Sequence, residues 1–168
     1  LPLSYMPPDD IAALREKVRR RAFLVRMRSK LKVKIRAQLL INGLTPPSEH
    51  GLFTSKGLEW LSSLQLDAVD SYLPVIQTLT IQVGKLSREL QVIAPQDEDV
   101  RLLMTIPGIG YYSALLIKSE IGDISRFPDG EKLCSYAGLV PSVSISGKYR
   151  HLGSITKEGS RWLRWIMV

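Results

Sequence analysis

The sequence of 168 residues contains one cysteine and two histidines. Cys134 alone cannot form an internal disulfide or a cysteine-rich zinc site, and His50 and His151 lie too far apart for a metal-ligand spacing. No apolar run approaches the roughly 20 residues that cross a bilayer, and the start LPLSYMPPDD lacks the pattern of a signal peptide. These absences predict a cytoplasmic protein that makes no membrane contact.

Acidic residues are scarce in the first quarter of the chain. Residues 1–42 hold 11 Lys and Arg against 3 Asp and Glu, residues 43–94 hold 3 against 5, and residues 95–168 hold 9 against 8, for a formal net charge of +7. Glu16 is the only acid between Arg15 and Arg36. A concentrated basic stripe is typical of proteins that bind nucleic acid, although a solvated helix face is the alternative.

Two long segments have the apolar spacing of α-helices. The first starts at Asp9 or Asp10, which can cap it, and ends before Asn42-Gly43. After a proline-containing connection and a short helix over 56–64, the second covers 67–94 with an unbroken heptad pattern, weakened locally by Pro74 and Gly84. The two predict a helical hairpin or coiled coil, and an intramolecular core and an intermolecular coiled coil are both open. The heptad positions are Val69, Tyr72, Ile76, Leu79, Val83, Leu86, Leu90 and Ile93.

Pro95 ends the second helix and divides the chain into two predicted domains. Residues 1–95 form the basic helix and coiled-coil region, and residues 96–168 form a compact helical domain in which only 139–155 lacks helical periodicity and predicts a loop or short β-hairpin. The fold class expected is therefore mainly α. Because the sequence stops in mid-pattern, we expect it to be a fragment of a longer protein.

The segment LMTIPGIG, followed by the apolar stretch YYSALLI, predicts two helices joined by a tight turn, as in a helix-hairpin-helix. Gly108 and Gly110 permit a turn with positive φ. Their amides, with the start of the second helix, can contact a backbone phosphate and so hold DNA without reading its bases. A plain turn between packed helices is the alternative.

Hydroxyls, glycines and cations alternate between 138 and 164. Glycine lets the backbone approach a phosphate closely, and Lys or Arg stabilises its charge. A serine hydroxyl in such surroundings can act as a nucleophile on a phosphodiester, although a Ser-Gly pair is far more often a simple turn. The phosphate-binding candidates are Lys148, Arg150, Lys157 and Arg161, together with Arg19, Arg20 and Arg21 of the basic helix.

Read in order, IPGIG, EIGDISRF, SYAGLVPSVSISGK and LGSITKEGSRWLRW resemble the carboxy-terminal domain of the insertion-sequence-110 family of transposases, which includes the 116 and 902 elements. The resemblance is dense over 100–168 and looser over 1–95. It implies a DNA transposase or recombinase with Ser146 of the Ser146-Gly147 pair as nucleophile, and Ser144 is a competitor for that role.

The resemblance also implies parts that this sequence does not supply. The family's amino-terminal RuvC-like domain carries four acids that bind divalent metal, Mg²⁺, so we expect no cofactor in this fragment and no strand exchange by it alone. Expected partners are DNA, an element-encoded guide RNA and further copies of the chain, in a dimer or larger assembly, in the nucleoid of a prokaryotic cell. The alternatives are a non-catalytic module that binds DNA or RNA, and a purely structural oligomerisation segment.

Overall fold

The computed structural model describes residues 5–47 and 51–168. His50 and the side chain of Arg150 lie outside the described residues. The described chain is mainly helical, with one antiparallel pair of strands, as predicted. The elements are α1 (Asp9–Ile41), α2 (Ser55–Ser63), α3 (Asp67–Ile93), α4 (Glu98–Met104), α5 (Tyr111–Ile121), α6 (Gly130–Ala137), β1 (Pro141–Ser146), β2 (Tyr149–Ile155) and α7 (Arg161–Met167).

The predicted ends of α1 are confirmed. Asp9 and Asp10 lie in its first turn, where a carboxylate opposes the positive end of the helix dipole. Gly43 has φ +66°, and the amides of Gly43 and Leu44 donate to the carbonyls of Leu40 and Leu39, which closes the helix. The basic residues therefore lie on a continuous helix of 33 residues.

The chain divides into two compact units, and α1 and α3 each contribute to both. One unit consists of the chain up to Arg19 together with Leu90–Val168, and the other is Arg20–Glu89. This division differs from the predicted one at residue 95. It arises because the first turns of α1 and the last residues of α3 pack with the carboxy-terminal helices.

The unit Arg20–Glu89 has an apolar core between α1, α2 and α3. Ile35 and Leu39 of α1 are buried with Leu61 of α2 and Ile76 of α3. Gly57 allows α2 to lie directly against the preceding segment, since a Cβ there would overlap the carbonyl oxygens of Gly51 and Leu52. The spacing that predicted α1 and α3 thus describes the faces that this core buries.

The heptad of α3 faces the interior of the single chain. All eight positions are buried or half-buried, and both Val83 and Leu86 are less than one-tenth exposed. The stripe therefore has partners within the chain, as the intramolecular alternative requires. Association between copies of the chain stays a prediction.

In the other unit, α5 is the central helix. Its segment Ala114–Leu116 is fully buried and packs against Val18, Leu90 and Val100 from the helices around it. A second cluster joins Ile117, Ala137 and Leu163, which come from α5, α6 and α7. The small side chain of Ala114 permits close packing at the start of α5. The hairpin of β1 and β2 lies between α6 and α7 in the chain, and both of these helices pack in this core.

Candidate strand-transfer and nucleic-acid site

The β1–β2 hairpin rises from a base that the segments on either side of it hold together. Thr156 donates its amide to the carbonyl of Val140, and Ser160 donates its amide to the carbonyl of Tyr136. Gly138 and Gly159 have φ +68° and +101°, and a Cβ at Gly159 would overlap the Tyr136 carbonyl oxygen. The two glycines of the sequence motif therefore allow a close backbone approach, which fixes where the hairpin leaves the domain.

The register of the hairpin gives its two faces different chemistry. Ser144 pairs with His151 and Ser146 pairs with Tyr149. Since directly opposed residues project from the same face and alternate residues do likewise, these four side chains share one face. Sequence reasoning did not bring His151 next to Ser144. A two-residue turn at Gly147-Lys148 between two β-like segments would have shown that pairing.

The opposite face of the hairpin carries three apolar side chains that are open to solvent. Val143 pairs with Leu152, and Ile145 lies two residues further along β1. All three side chains are exposed, with Ile145 at 70%. A two-stranded hairpin with an uncovered apolar face has little stability of its own, so its base must hold it in place.

Ser146 is the last residue of β1 and is exposed. Gly147, with φ +58°, begins the turn, and Lys148 lies exposed within it. The candidate nucleophile and one of the candidate cations are thus brought together at the tip. Lys157, whose φ is +58°, lies at the base of the hairpin, and Arg161 begins α7.

A buried carboxylate lies beneath this base. Glu120 of α5 is 1% exposed, and its two oxygens accept hydrogen bonds from Nε and Nη2 of Arg19 at 2.7 and 2.8 Å. Ser160 Oγ donates to the same carboxylate at 2.9 Å and also accepts from the amide of Leu163, which caps α7. One carboxylate therefore links α1, α5 and the start of α7.

The basic residues at the beginning of α1 have partners inside the protein. Arg15 Nε donates to the Ser119 carbonyl at 2.8 Å, and the guanidinium carbon of Arg19 lies 5.7 Å from the centre of the Trp162 ring. Arg21 Nε donates to Ser87 Oγ at 2.7 Å. Arg20 is not free of contacts within the chain either. The sequence pattern did not indicate that some cations of α1 serve the fold. Their role in binding DNA stays a prediction.

The turn between α4 and α5 only partly follows the expectation from the sequence. Gly108 has φ +89°, whereas Gly110 has φ −88° and ψ 176° and is the residue that precedes α5. Gly110 therefore needs no positive φ, although both glycines are exposed.

Near the end of α5, Lys118 contacts Asp97 and Asp99, and its hydrogen bond to Asp99 is the main cause of the raised pKa of Lys118.

Within residues 5–47 and 51–168, no three His, Cys, Asp or Glu side chains come close enough together to hold a metal ion. In the same part of the chain, every helix is too short or too polar to cross a membrane.

Comparison with known proteins identifies relatives of this chain. Residues 100–168 match the model of the Transposase IS116/IS110/IS902 family. The transposase for insertion sequence element IS1111A of Coxiella burnetii is 35% identical over 86 residues, which is 51% of this chain and 24% of that protein. The transposase for insertion sequence element IS1328 of Yersinia enterocolitica is 33% identical over 87 residues, covering 52% and 26%.

A longer alignment reaches into the helical region before residue 100. The y4pF/y4sB protein of Sinorhizobium fredii is 32% identical over 161 residues, which is 86% of this chain and 41% of that protein. The chain therefore spans between about a quarter and two-fifths of the length of these curated relatives.

Proposed function

From residues 100–168, which match the model of the Transposase IS116/IS110/IS902 family, we propose that this chain is part of a DNA transposase that breaks and rejoins strands through Ser146. The observation that carries the proposal is the position of Ser146. It lies exposed at the tip of a hairpin whose base is held by close glycine contacts and backbone hydrogen bonds. Such a tip can approach a DNA backbone without any opening of the fold.

The proposed step is a transesterification at phosphorus. The Oγ of Ser146 forms a bond to the phosphorus of a DNA phosphodiester, the bond to one deoxyribose oxygen breaks, and that oxygen takes up a proton from water and leaves as a hydroxyl group. The serine proton passes to a base, for which His151 on the same hairpin face is the candidate within this chain. Attack by the hydroxyl of another strand on the serine ester would join that strand and release Ser146.

The cations near the hairpin have a supporting role in the proposal. Lys148 in the turn, Lys157 and Arg161 would stabilise phosphate charge, and so would Arg150, which pairs with Ile145 rather than with Ser146. Gly108 and Gly110 would contact the backbone elsewhere on the duplex. Arg19, Arg20 and Arg21 complete the proposed set. The buried ion pair of Glu120 would hold α7 and the hairpin base in place during the reaction.

Other parts of the proposal come from the family resemblance. A RuvC-like domain elsewhere in the full protein would supply acids that hold Mg²⁺, an element-encoded guide RNA would select the DNA, and two or more copies would handle the two DNA ends. The open apolar face of the hairpin suits cover by DNA or by another copy of the protein.

Ser146→Ala in the full-length protein tests the nucleophile. We expect it to abolish strand joining while leaving DNA affinity unchanged, because Ser146 is exposed and outside the core. Ser144→Ala, one side-chain position away on the same hairpin face, is the matched control and should retain activity. The decisive measurement is the trapping of a covalent protein–DNA adduct and the mapping of its attachment to Ser146.

An adduct on Ser144, or full activity of Ser146→Ala, would overturn the assignment. The second candidate function, a non-catalytic DNA- or RNA-binding module, is favoured by the same exposure, because an exposed serine hydroxyl is a weak nucleophile until a base activates it. Tight nucleic-acid binding with no adduct in the presence of Mg²⁺ and guide RNA would support that module.

A further inference from the structure

Three basic residues of α1 have surroundings unlike those of Arg15 and Arg19. Arg28, Lys32 and Arg36 follow one another at steps of four, so they lie along one face of the helix about 6 Å apart along its axis. Among the described residues, no carboxylate forms an ion pair with any of the three. This row, Arg28, Lys32 and Arg36, is called the cation row below.

Arg28 and Lys32 of the cation row line a groove within the unit Arg20–Glu89, and Arg36 continues the row outside the described lining. The groove has a volume of about 420 Å³, and Arg28 and Lys32 of α1 face Gln77 and Thr80 of α3 across it. None of its described lining residues is acidic. It thus offers positive charge on one side and neutral hydrogen-bonding groups on the other, together with the apolar side chains of Phe53, Leu58, Ile76 and Ile81. This combination suits a ligand with charged, polar and apolar parts.

Neighbouring side chains hold the cation row in position. Lys32 Nζ lies 4.6 Å from the centre of the Phe53 ring, and the guanidinium carbon of Arg36 lies 5.2 Å from it. Arg28 Nη1 donates to Thr80 Oγ1 at 3.4 Å. An aromatic face stabilises a cation without neutralising it, so the positive charge is still available to an anion. Positioned cations also lose less side-chain entropy when a ligand binds.

The row is electrostatically unfavourable without an anion. Burial lowers the pKa of Lys32, and the nearby charges of Arg28 and Arg36 lower it further. Like charges four residues apart on a helix destabilise it. A negatively charged ligand in the groove would remove this repulsion.

We propose that this groove binds the phosphodiester backbone of a nucleic-acid strand. Arg28, Lys32 and Arg36 would take neighbouring phosphates, since their spacing along the helix is of the order of the spacing between phosphates of one strand. Gln77 and Thr80 would bind sugar or base-edge atoms between them. The proposal rests on the proposed nucleic-acid function but not on Ser146 or on strand breakage.

The test is the salt dependence of binding by the 168-residue chain. The probes are a fluorescent DNA single strand, a DNA duplex and an RNA strand of the same length. Arg28→Gln with Lys32→Gln keeps part of the apolar stems but removes the two charges that line the groove. The matched control is Lys30→Gln with Lys34→Gln, which changes the same charge on the same helix at exposed positions outside the groove.

We expect the groove variant to lose about tenfold or more in affinity for the preferred strand. The slope of log K against log salt should fall by about 1.4 for a single strand or 1.8 for a duplex, that is, two phosphates at about 0.7 or 0.9 each. The control should change the slope by less than half as much. Arg28→Lys with Lys32→Arg should keep the wild-type slope, and circular dichroism should show the same helix content in every variant.

Equal losses in the groove and control variants would mean that the whole helix attracts nucleic acid diffusely, and would overturn the groove. An unchanged slope in the groove variant would overturn it as well. Whether the preferred probe is DNA or RNA identifies the strand. If the unchanged chain bound none of the three probes, both the groove and the binding module would be overturned. The adduct at Ser146 is a separate measurement, so the failure of one proposal can be told from the failure of the other.

Discussion

Two groups of basic side chains on α1 differ in what their charge does. Arg15 and Arg19 donate to a carbonyl and a carboxylate of α5, and the Glu120 carboxylate that Arg19 contacts is almost fully buried. Lys32 and Arg36 lie beside the Phe53 ring, and Arg28 and Lys32 line a groove whose described lining contains no acidic residue. One group stabilises the fold, whereas the other keeps its positive charge available.

The difference shows that a high density of Lys and Arg in a sequence does not measure a binding surface. A buried carboxylate needs a cation, because burying an unpaired charge is very unfavourable. Some of the Lys and Arg side chains that a sequence count would assign to nucleic-acid binding therefore stabilise the fold instead. Stability measurements and binding measurements should separate the two groups.

Arg19→Ala should have the largest effect on stability. It removes the cation from Glu120, and breaking a buried pair in this way typically costs about 3–5 kcal/mol. Because Arg19 is 39% exposed and Ser160 still donates to Glu120, we expect about 3 kcal/mol. The free energy of unfolding from urea titration measures it, with the exposed Lys30→Ala as a control that should change by at most about 0.5 kcal/mol.

If Arg19→Ala lowered the free energy of unfolding no more than Lys30→Ala does, the structural role of Arg19 would be contradicted. A double variant, Arg19→Met with Glu120→Gln, adds a further check. Since the pair is removed together and no charge is left buried, the double variant should be destabilised less than the sum of its single changes.

Ser160→Ala should have an intermediate effect, about 2 kcal/mol. The serine hydroxyl both caps α7, which is typically worth about 1 kcal/mol, and donates to the charged Glu120. Ser160→Thr keeps a hydroxyl and should recover most of the loss. Thermal unfolding of the three proteins provides the comparison, and an equal loss in Ala and Thr would show that the hydroxyl is not responsible.

Lys32→Met should have the smallest effect on stability although it weakens nucleic-acid binding. The variant removes the repulsion from Arg28 and Arg36, which stabilises the fold by about 0.2–0.5 kcal/mol for each pair. It also removes the contact with Phe53, which destabilises the fold by about 0.5–1 kcal/mol. We therefore expect a net change within about 0.5 kcal/mol at neutral pH. A loss above about 2 kcal/mol would place Lys32 with the structural group.

The difference in stability between the wild type and Lys32→Met should change with pH in a definite direction. The pKa of Lys32 is lower in the folded protein than the ordinary value of 10.5, so near and below 10.5 the unfolded chain binds more protons. Stability contributed by this group then rises with pH. Urea titrations between pH 8 and pH 10.5 should show the wild type gaining stability relative to Lys32→Met, and a relative loss would contradict the lowered pKa.

The helices and the hairpin were largely predictable because each depends on local pattern. The spacing of Ile35 and Leu39 and the closing Gly43 predicted α1, and the heptad that includes Ile76 and Leu86 predicted α3. The interruption of helical periodicity after residue 139 predicted the non-helical segment. Gly110 departed from prediction because a helix that begins after an extended residue needs no left-handed glycine there.

By itself, the sequence determined the mainly helical fold, the positions of α1 and α3, the excess of positive charge near the start and the resemblance of residues 100–168 to a transposase family. Only the tertiary structure decided that Arg19 pairs with Glu120, that His151 lies opposite Ser144, and that the cation row lies beside Phe53 and a groove. The reason is physical: periodicity and capping act between residues a few positions apart, whereas Arg19 and Glu120 are 101 positions apart and meet only when α1 packs against α5.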